Sequence, residues 1–453
     1  GEQSVEWNAG DRSGPLGTRS FLRHRGCVPR RPVGSGCDPG IEWRGRSHYA
    51  RKPVPLISID DARERVLQAT RPLPARTVEV IDAGGQALAQ DVFASGDVPP
   101  FACSAMDGYA IRHGGAGRRL TLVGESRAGT PADHTLVAGE AIRVSTGAAI
   151  PAGATAVVAQ EQTERDADSV LVSVAVGPGE HVRGAGEDMA RGSIVLDAGT
   201  VLGPIELGAA VSAGAARLAV ACRPRVSVLC TGDELREPGR PLGPGEIHNS
   251  NAPMLSGLSA RAGATIQRAE RVADDLARTT AAIERAIADS DLVILSGGVS
   301  VGPHDHVKPA LAELGVREVF WGVALQPGKP TWFGTAPDDT LVFGLPGNPV
   351  SAVVTFSLFV SAALAALQCA PIPRPPYPRA RLAVAVSRNP RRDQAVRVTV
   401  RADATGALQA RSTGAQGSHI LSSLLHADAL AIIPRGDGEL GAGASVALHA
   451  LAR

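Results

Sequence analysis

The sequence predicts a multidomain α/β plus β chain, in which a doubly wound three-layer α/β domain is accompanied by mainly β domains. Three observations lead there. A charge-free apolar run at residues 292–295 is long enough for a strand buried on both faces, and Ser296-Gly297-Gly298 cannot continue it. Similar runs at 226–230 and 341–345 alternate with helical patterns between about 222 and 374. On either side the rhythm changes to short alternating strands parted by Gly, Pro and Asp clusters.

A chain of 453 residues is too long for one core, so roughly two to four domains are expected. With net charge +1 and 20% charged residues there is no basic footprint for nucleic acid and no acidic tail, which leaves a small ligand. Aromatics at 3% argue against stacking platforms for bases. Six cysteines show no CxxC spacing and no dense framework, so a reducing cytoplasmic setting is expected. No charged n-region followed by an apolar stretch opens the sequence, so no secretory signal is expected. Residues 349–373 lack charge and reach the membrane-spanning length, yet Ser351, Thr355, Ser357, Ser361 and Gln368 interrupt them. A buried helix of an α/β layer is the preferred reading, with no membrane.

In chain order, residues 1 to about 52 are rich in Arg, Gly, Pro and Ser, lack periodicity and are expected to be disordered. The chain opens on Gly1, so an overlong gene start or tag-like extension stands beside a functional basic arm as an explanation. Ser58 or Asp60 should cap a helix through Thr70 that places Ala62, Val66, Leu67 and Ala69 on one face. Short strands are predicted at 120–123, 141–144, 156–160 and 170–174, and Pro204 opens a short apolar helix towards Ala213. The α/β region should give a strand at 226–230, a helix at 251–262 closed by Gly263 and an edge strand at 265–269. A helix capped by Asp274 or Asp275 should follow, then the strand at 292–295, a helix at 305–314, and a strand at 341–345 leading into a long helix from Asn348. The tail, 375–453, alternates again at 381–386, 396–400 and 429–433, as in a small closed or sandwich-like β domain.

Ligands of doubly wound sheets bind outside the carboxyl ends of the strands. Three loops should therefore converge, at 231–234 (Thr-Gly-Asp-Glu), 296–305 (with Ser296, Gly297, Gly298, Ser300 and Asp305) and 346–351 (Pro-Gly-Asn-Pro-Val-Ser). Glycine allows close backbone approach, hydroxyls and amides supply hydrogen bonds, and the first two loops carry acids. That set suits a phosphate-bearing ligand with a divalent cation, with amides on the phosphate oxygens and carboxylates on the metal. The plainer alternative is that the acids cap helices, Asp305 above all. Lys329 follows a strand and could face an anion, or simply be solvated. His304 and His306 flank Asp305, but no third partner has metal spacing, which disfavours a zinc site. No GxSxG elbow is present, so covalent acyl chemistry is not expected. Elsewhere Asp107, Thr146 and Asp188 sit in turns of small residues, where ordinary β-turn chemistry would serve as an explanation.

In this order, PPFACSAMDGYAIR, VSTGAAIPAGATAVVAQEQ, RGAGEDMARG, CTGDEL, IHNSN, SGGVSVGPHDH, QPGKP and GLPGNPVSA resemble the MoeA-type molybdopterin molybdenumtransferase family, which includes the E domain of gephyrin. The resemblance runs from about residue 54 to 451. It implies insertion of molybdate into adenylylated molybdopterin with release of AMP, giving molybdenum cofactor, with Mg2+ as the usual cation. It implies a MogA-like α/β domain (53–74 and 222–374), an elongated connector (75–91 and 187–221), a β domain (92–186) and a C-terminal β domain (375–453). It further implies a homodimer whose site lies between the α/β domain of one subunit and a β domain of the other, and makes a molybdopterin adenylyltransferase a candidate partner.

By position, Asp107, Thr146, Asp188, Glu234 and Asp305 match the motif residues implicated in activity, with Glu234 and Asp305 as the metal ligands. The substrate-binding set is Ser250, Ser296, Gly297, Gly298, Ser300, Lys329, Asn348 and Ser351. On this expectation molybdate lies near Ser351 and Lys329, while the partner's Asp107 and Asp188 orient water or the dithiolene. Ala102 and Cys103 replace the usual Asp-Asn of the family, and Gln326 stands where many relatives have Lys, which puts one anion contact in doubt. Two alternatives are a molybdopterin adenylyltransferase, against which the extra β domains argue, and a non-enzymatic cofactor carrier or scaffold, against which the full acid set argues. Molybdate and tungstate are not distinguished.

Overall fold

The computed structural model describes residues 56–299, 305–372 and 376–451. The expected disorder of residues 1–52 and the expected roles of Ser300 and His304 lie outside the described residues.

A six-stranded sheet positions the site. Its strands are β1 (Arg225–Thr231), β2 (Thr265–Val272), β3 (Leu292–Ser296), β4 (Arg317–Trp321), β5 (Trp332–Thr335) and β6 (Leu341–Leu345), in the order β2-β1-β3-β6-β5-β4. The first four in that order are parallel, and β5 and β4 complete an antiparallel edge. That edge is absent from the sequence-based prediction. Alternate residues of the apolar runs face opposite ways: Val228, Ile294 and Phe343 join one core, Leu229, Val293 and Val342 another. The first core is covered by α1 (Ile59–Ala69) and α2 (Asn251–Arg261), the second by α3 (Leu276–Asp289) and α4 (Val307–Glu313). Three layers result. Side-chain caps fix two helix starts: Ser58 Oγ accepts from Asp61 N (3.0 Å) and Asp275 Oδ1 from Arg278 N (2.8 Å). Each is worth about 1 kcal/mol.

The charge-free segment forms α5 (Pro349–Leu367), nineteen residues that could cross a membrane by length and composition, with a π-type stretch at Phe356–Val360. Here it is 78% buried, packed with the Phe333 and Phe343 face of the sheet and with Ala395 and Leu430 of the C-terminal module. Its hydroxyls are satisfied locally, Thr355 donating to Ser351 O (2.8 Å), Ser357 to Val353 O (2.9 Å) and Ser361 to Ser357 O (2.7 Å). Backbone pairing of this kind lets hydroxyls sit in an apolar layer.

The C-terminal module is a closed barrel. Asp393–Ala402 pairs with Leu408–Ser412 and with Ala429–Ile433, and Arg379–Leu382 and Ser445–Ala450 complete the ring. The predicted strand at 381–386 is corrected: the chain bends after Leu382, and Val386–Ser387 pairs with Glu439–Leu440 in a separate ribbon. Leu325–Gln326 adds to the barrel strand at Asp393–Gln394, and Asn389 Nδ2 donates to Gln326 Oε1 (2.6 Å).

Two further modules precede the sheet in the chain. A six-stranded sheet contains Gly108–Ile111, Glu140–Val144, Ala156–Ala159 and Arg118–Ser126, with Tyr109 and Ile111 on one face and Ala110 on the other. Another pairs Ala75–Glu79 with Arg217–Ala221 and packs Leu88 and Leu202 with Ala210 of the helix Pro204–Ser212. This last module leaves Ile81 and Ile205 each 82% exposed, with Phe93, Ile194 and Val211 also largely open.

Candidate active site

The carboxyl ends of β1, β3 and β6 lie side by side, Cys230 opposite Ser296 and Ser296 opposite Leu345. Beyond them is a cavity of about 560 Å³. The three loops named from the sequence meet there, through Glu234 behind β1, Ser296 and Gly298 behind β3, and Gly347 and Asn348 behind β6. Close backbone approach requires glycine at Gly297 (φ 94°), where a Cβ would lie 2.7 Å from Thr231 O. The Gly297 amide donates to Leu345 O (3.1 Å), so it closes β3 onto β6 and is not open to a ligand.

Asp305 is half-buried at the cavity wall. The predicted helix at 305–314 begins two residues later, at Val307, with His306 in the cap position and no side-chain cap. Burial pushes the Asp305 carboxyl above its ordinary pKa, opposed by the Lys308 ammonium and the Val307 and Lys308 amides. Those amides lie near, but neither carboxylate oxygen completes a hydrogen bond of normal geometry with any described residue. Glu234 is exposed, its carboxylate folded over Gly232. A third acid, Asp274, also lines the cavity, and the sequence reading had it only as an alternative helix cap. Asp275 takes the cap, while Asp274 Oδ2 accepts from Asp233 N (3.3 Å) and ties the two loops.

Ser250 lines the cavity from the start of α2, with Asn249 and Asn251 beside it. Cys230 also lines the cavity, and burial pushes the pKa of its thiol up to about 12 and keeps it protonated. Asn348 reaches the cavity from the cap of α5 and donates to Ser418 Oγ (3.0 Å), while Val350 N donates to Ser418 O (3.2 Å). Ser418 belongs to a barrel loop organised by Arg397, which is fully buried and donates to Ser423 Oγ (3.1 Å), Ala415 O (3.3 Å) and Gly417 O (3.1 Å). Nothing in the sequence pattern marks Arg397, since buried arginines are rare and strand alternation hides them. Ser351 is buried in the first turn of α5 and does not line the cavity. Lys329 is exposed next to Pro330, which does.

Asp107, Thr146 and Asp188 do not line the cavity. Asp107 Oδ1 accepts from Thr146 N (2.7 Å) and Thr146 Oγ1 (3.1 Å), so two of the three form a pair on the β module. Asp188 is exposed on a turn held by its amide to Val98 O (2.9 Å).

Among the described residues no three His, Cys, Asp or Glu side chains converge to hold a metal ion. The donor set, the carboxylates of Glu234, Asp274 and Asp305 along the cavity, fits a hard cation shared with a ligand's phosphate, since Mg2+ binds through one or two carboxylates plus phosphate oxygens. It does not fit a closed zinc cage.

The fold and cavity define a class: a multidomain α/β protein with a cavity at the carboxyl edge of its sheet and a C-terminal β barrel tied to one of the cavity's loops. Comparison with known proteins narrows it. Residues 57–214 match the family described as MoeA N-terminal region (domain I and II), 227–366 the probable molybdopterin binding domain, and 379–451 the MoeA C-terminal region (domain IV). Molybdopterin molybdenumtransferase 2 of Mycobacterium tuberculosis (strain H37Rv) is 38% identical over 390 residues, covering 83% of this chain and 95% of its own. Molybdopterin molybdenumtransferase of Haemophilus influenzae is 34% identical over 400 residues, covering 87% of this chain and 98% of its own. The crystal structure of the molybdopterin biosynthesis moeA protein from Pyrococcus horikoshii OT3 superposes with a TM-score of 0.74 at 30% identity, covering 87% of this chain and all of that one. The chain belongs to the MoeA family of molybdopterin molybdenumtransferases.

Proposed function

We propose that this chain inserts molybdate into adenylylated molybdopterin, releasing AMP and giving molybdenum cofactor. The observation that carries the reading is the 38% identity to a molybdopterin molybdenumtransferase across 95% of that protein, together with a cavity fed by all three strand-end loops.

Within this reading, the cavity accepts the phosphate-linked part of the substrate and Ser250, Ser296 and Gly298 line its approach. Mg2+ would supply charge neutralisation at the phosphate oxygens, and Glu234 and Asp305 are the residues that would hold it. The Cys230 thiol, kept protonated by burial, does not compete with the substrate's dithiolene for molybdenum. Asn348 is held at the mouth by Ser418 of the barrel. Lys329 offers a positive charge at the rim, where Gln326 is tied to Asn389.

The dimer is part of the proposal. Asp107, Thr146 and Asp188 act in it from the partner subunit, consistent with their absence from this chain's own cavity. The exposed Ile81, Ile205, Phe93, Ile194 and Val211 supply an apolar surface for such contact. A molybdopterin adenylyltransferase is the candidate supplier of substrate. A reducing, cytoplasmic setting accords with the free thiols of Cys103, Cys222, Cys230 and Cys369.

The test is reconstitution: purified chain, adenylylated molybdopterin, molybdate and Mg2+, scored by activation of a cofactor-free molybdoenzyme. The proposal expects activation without ATP. Activation that required ATP would favour the adenylyltransferase reading, and none at all would favour a carrier.

A further inference from the structure

Trp321 is the last residue of β4, at the antiparallel edge of the sheet, and is half-buried against the second core. Packing accounts for its ring but not for its two polar contacts. The indole Nε1 donates to Val299 O (3.2 Å), and Lys308 Nζ lies 3.7 Å from the ring centroid. An indole N–H is a donor only, whereas a cation over the ring is held by the quadrupole of the ring face. The two contacts are therefore chemically separable.

Their positions in the chain give them a common object. Val299 follows Gly298 on the way out of β3, and Lys308 lies in the first turn of α4 on the way back. Asp305 of the cavity wall falls between them in sequence. Both arms are also packed: Val299 and Val307 are buried, a Cβ on Gly344 would lie 2.5 Å from Val299 Cγ1, and one on Gly298 would lie 2.7 Å from Val307 Cγ2. Apolar packing is non-directional, while a hydrogen bond to a carbonyl fixes direction. Trp321 supplies that direction.

We propose that Trp321 is a positioning residue for the reaction, tying both arms of the β3–α4 loop to the sheet edge so that Gly298 and Asp305 keep their places on the cavity wall. It does not itself line the cavity and acts through Val299 and Lys308. The inference rests on the reading of this cavity as the site for adenylylated molybdopterin.

The experiment compares full-length wild type with Trp321→Phe, which keeps a ring face and loses the donor, and Trp321→Leu, which loses both. Hydrogen exchange is read on residues 305–313 against residues 276–289 of the same layer, and KM is measured separately for adenylylated molybdopterin and for molybdate at saturating Mg2+. In Trp321→Leu, exchange at 305–313 should quicken by about tenfold with 276–289 unchanged. The KM for adenylylated molybdopterin should rise by about the same factor, that for molybdate should stay near wild type, and Trp321→Phe should fall between. Thermal melts report folding, and Trp321→Phe carries the test if Trp321→Leu does not fold. Exchange that quickens equally in both segments, or in neither, overturns the clamp. Local quickening with both KM values at wild type overturns the positioning role. Wild-type protein that inserts no molybdate sinks the functional reading and the positioning role with it, while the exchange comparison still decides whether the clamp exists.

Discussion

Asp107 accepts two hydrogen bonds from Thr146 through a single oxygen, Oδ1, at 2.7 Å from the amide and 3.1 Å from the hydroxyl. The pair locks one carboxylate oxygen onto the neighbouring turn and orients the group on an otherwise exposed surface.

If this pair completes the partner's site, Asp107→Asn should lower AMP release by about tenfold or more while leaving thermal stability near wild type. Mixed dimers give the sharper result. Co-refolded Asp107→Asn and Asp305→Asn subunits should recover about a quarter to a half of wild-type activity, because one cavity per heterodimer is then intact. Mixtures no more active than either parent would place both residues in one subunit's site.

At Gly297 the expectation concerns backbone shape. Gly297→Ala places a Cβ 2.7 Å from Thr231 O at φ 94° and should cost about 1–3 kcal/mol, read as a lowered denaturation midpoint. The β1 and β3 loops would part, so the substrate KM should rise as well. An unchanged midpoint would mean that the two loops are not packed as described.

Arg397 links barrel and cavity. Arg397→Met removes the donors to Ala415 O, Gly417 O and Ser423 Oγ and should destabilise the chain by about 2–4 kcal/mol. Loss of that anchor frees Ser418 and with it Asn348, so KM should rise more than kcat falls. Ser418→Ala should reproduce the KM change with little loss of stability.

His449 gives a pH dependence. Burial, with a smaller contribution from Arg63, lowers its pKa from 6.5 to about 4, and it packs at a tilt against Tyr377 (ring centroids 4.1 Å apart), whose hydroxyl accepts from Arg63 Nη1 (2.5 Å). Between those pH values the unfolded chain binds the proton and the folded chain does not. The neutral ring's contribution is therefore fully present above pH 6.5 and lost as pH falls towards 4. Its size is on the order of 3 kcal/mol. In unfolding titrations His449→Phe should flatten the slope of stability against pH in that window.

Much of the α/β layer was legible because its central strands are charge-free runs ended by glycine or proline, as at 292–298 and 341–347. The antiparallel edge was not, since Arg317–Trp321 and Trp332–Thr335 mix charged, aromatic and glycine residues without a clean period. The bend after Leu382 was hidden for a different reason, because alternation continues through it while the chain changes partners. At the site, loop membership placed Glu234, Asp305, Gly298 and Asn348 together. It could not say that Ser351 turns into the core, which depends on helical phase, nor which of Asp274 and Asp275 caps α3. Asn251, which ties the β3 and β6 loops through Ser296 Oγ and Gly347 O, escaped because those partners are 45 and 96 residues away.

On the proposed function, the cavity at the ends of β1, β3 and β6 performs molybdate insertion coupled to release of AMP. Its most direct test measures AMP released and molybdenum incorporated from the same incubation with adenylylated molybdopterin, for wild type and Asp305→Asn, with and without Mg2+. Equal amounts of AMP and incorporated molybdenum are expected for wild type with Mg2+, and loss of both together in the variant. AMP release and insertion undiminished in a folded Asp305→Asn protein would contradict it.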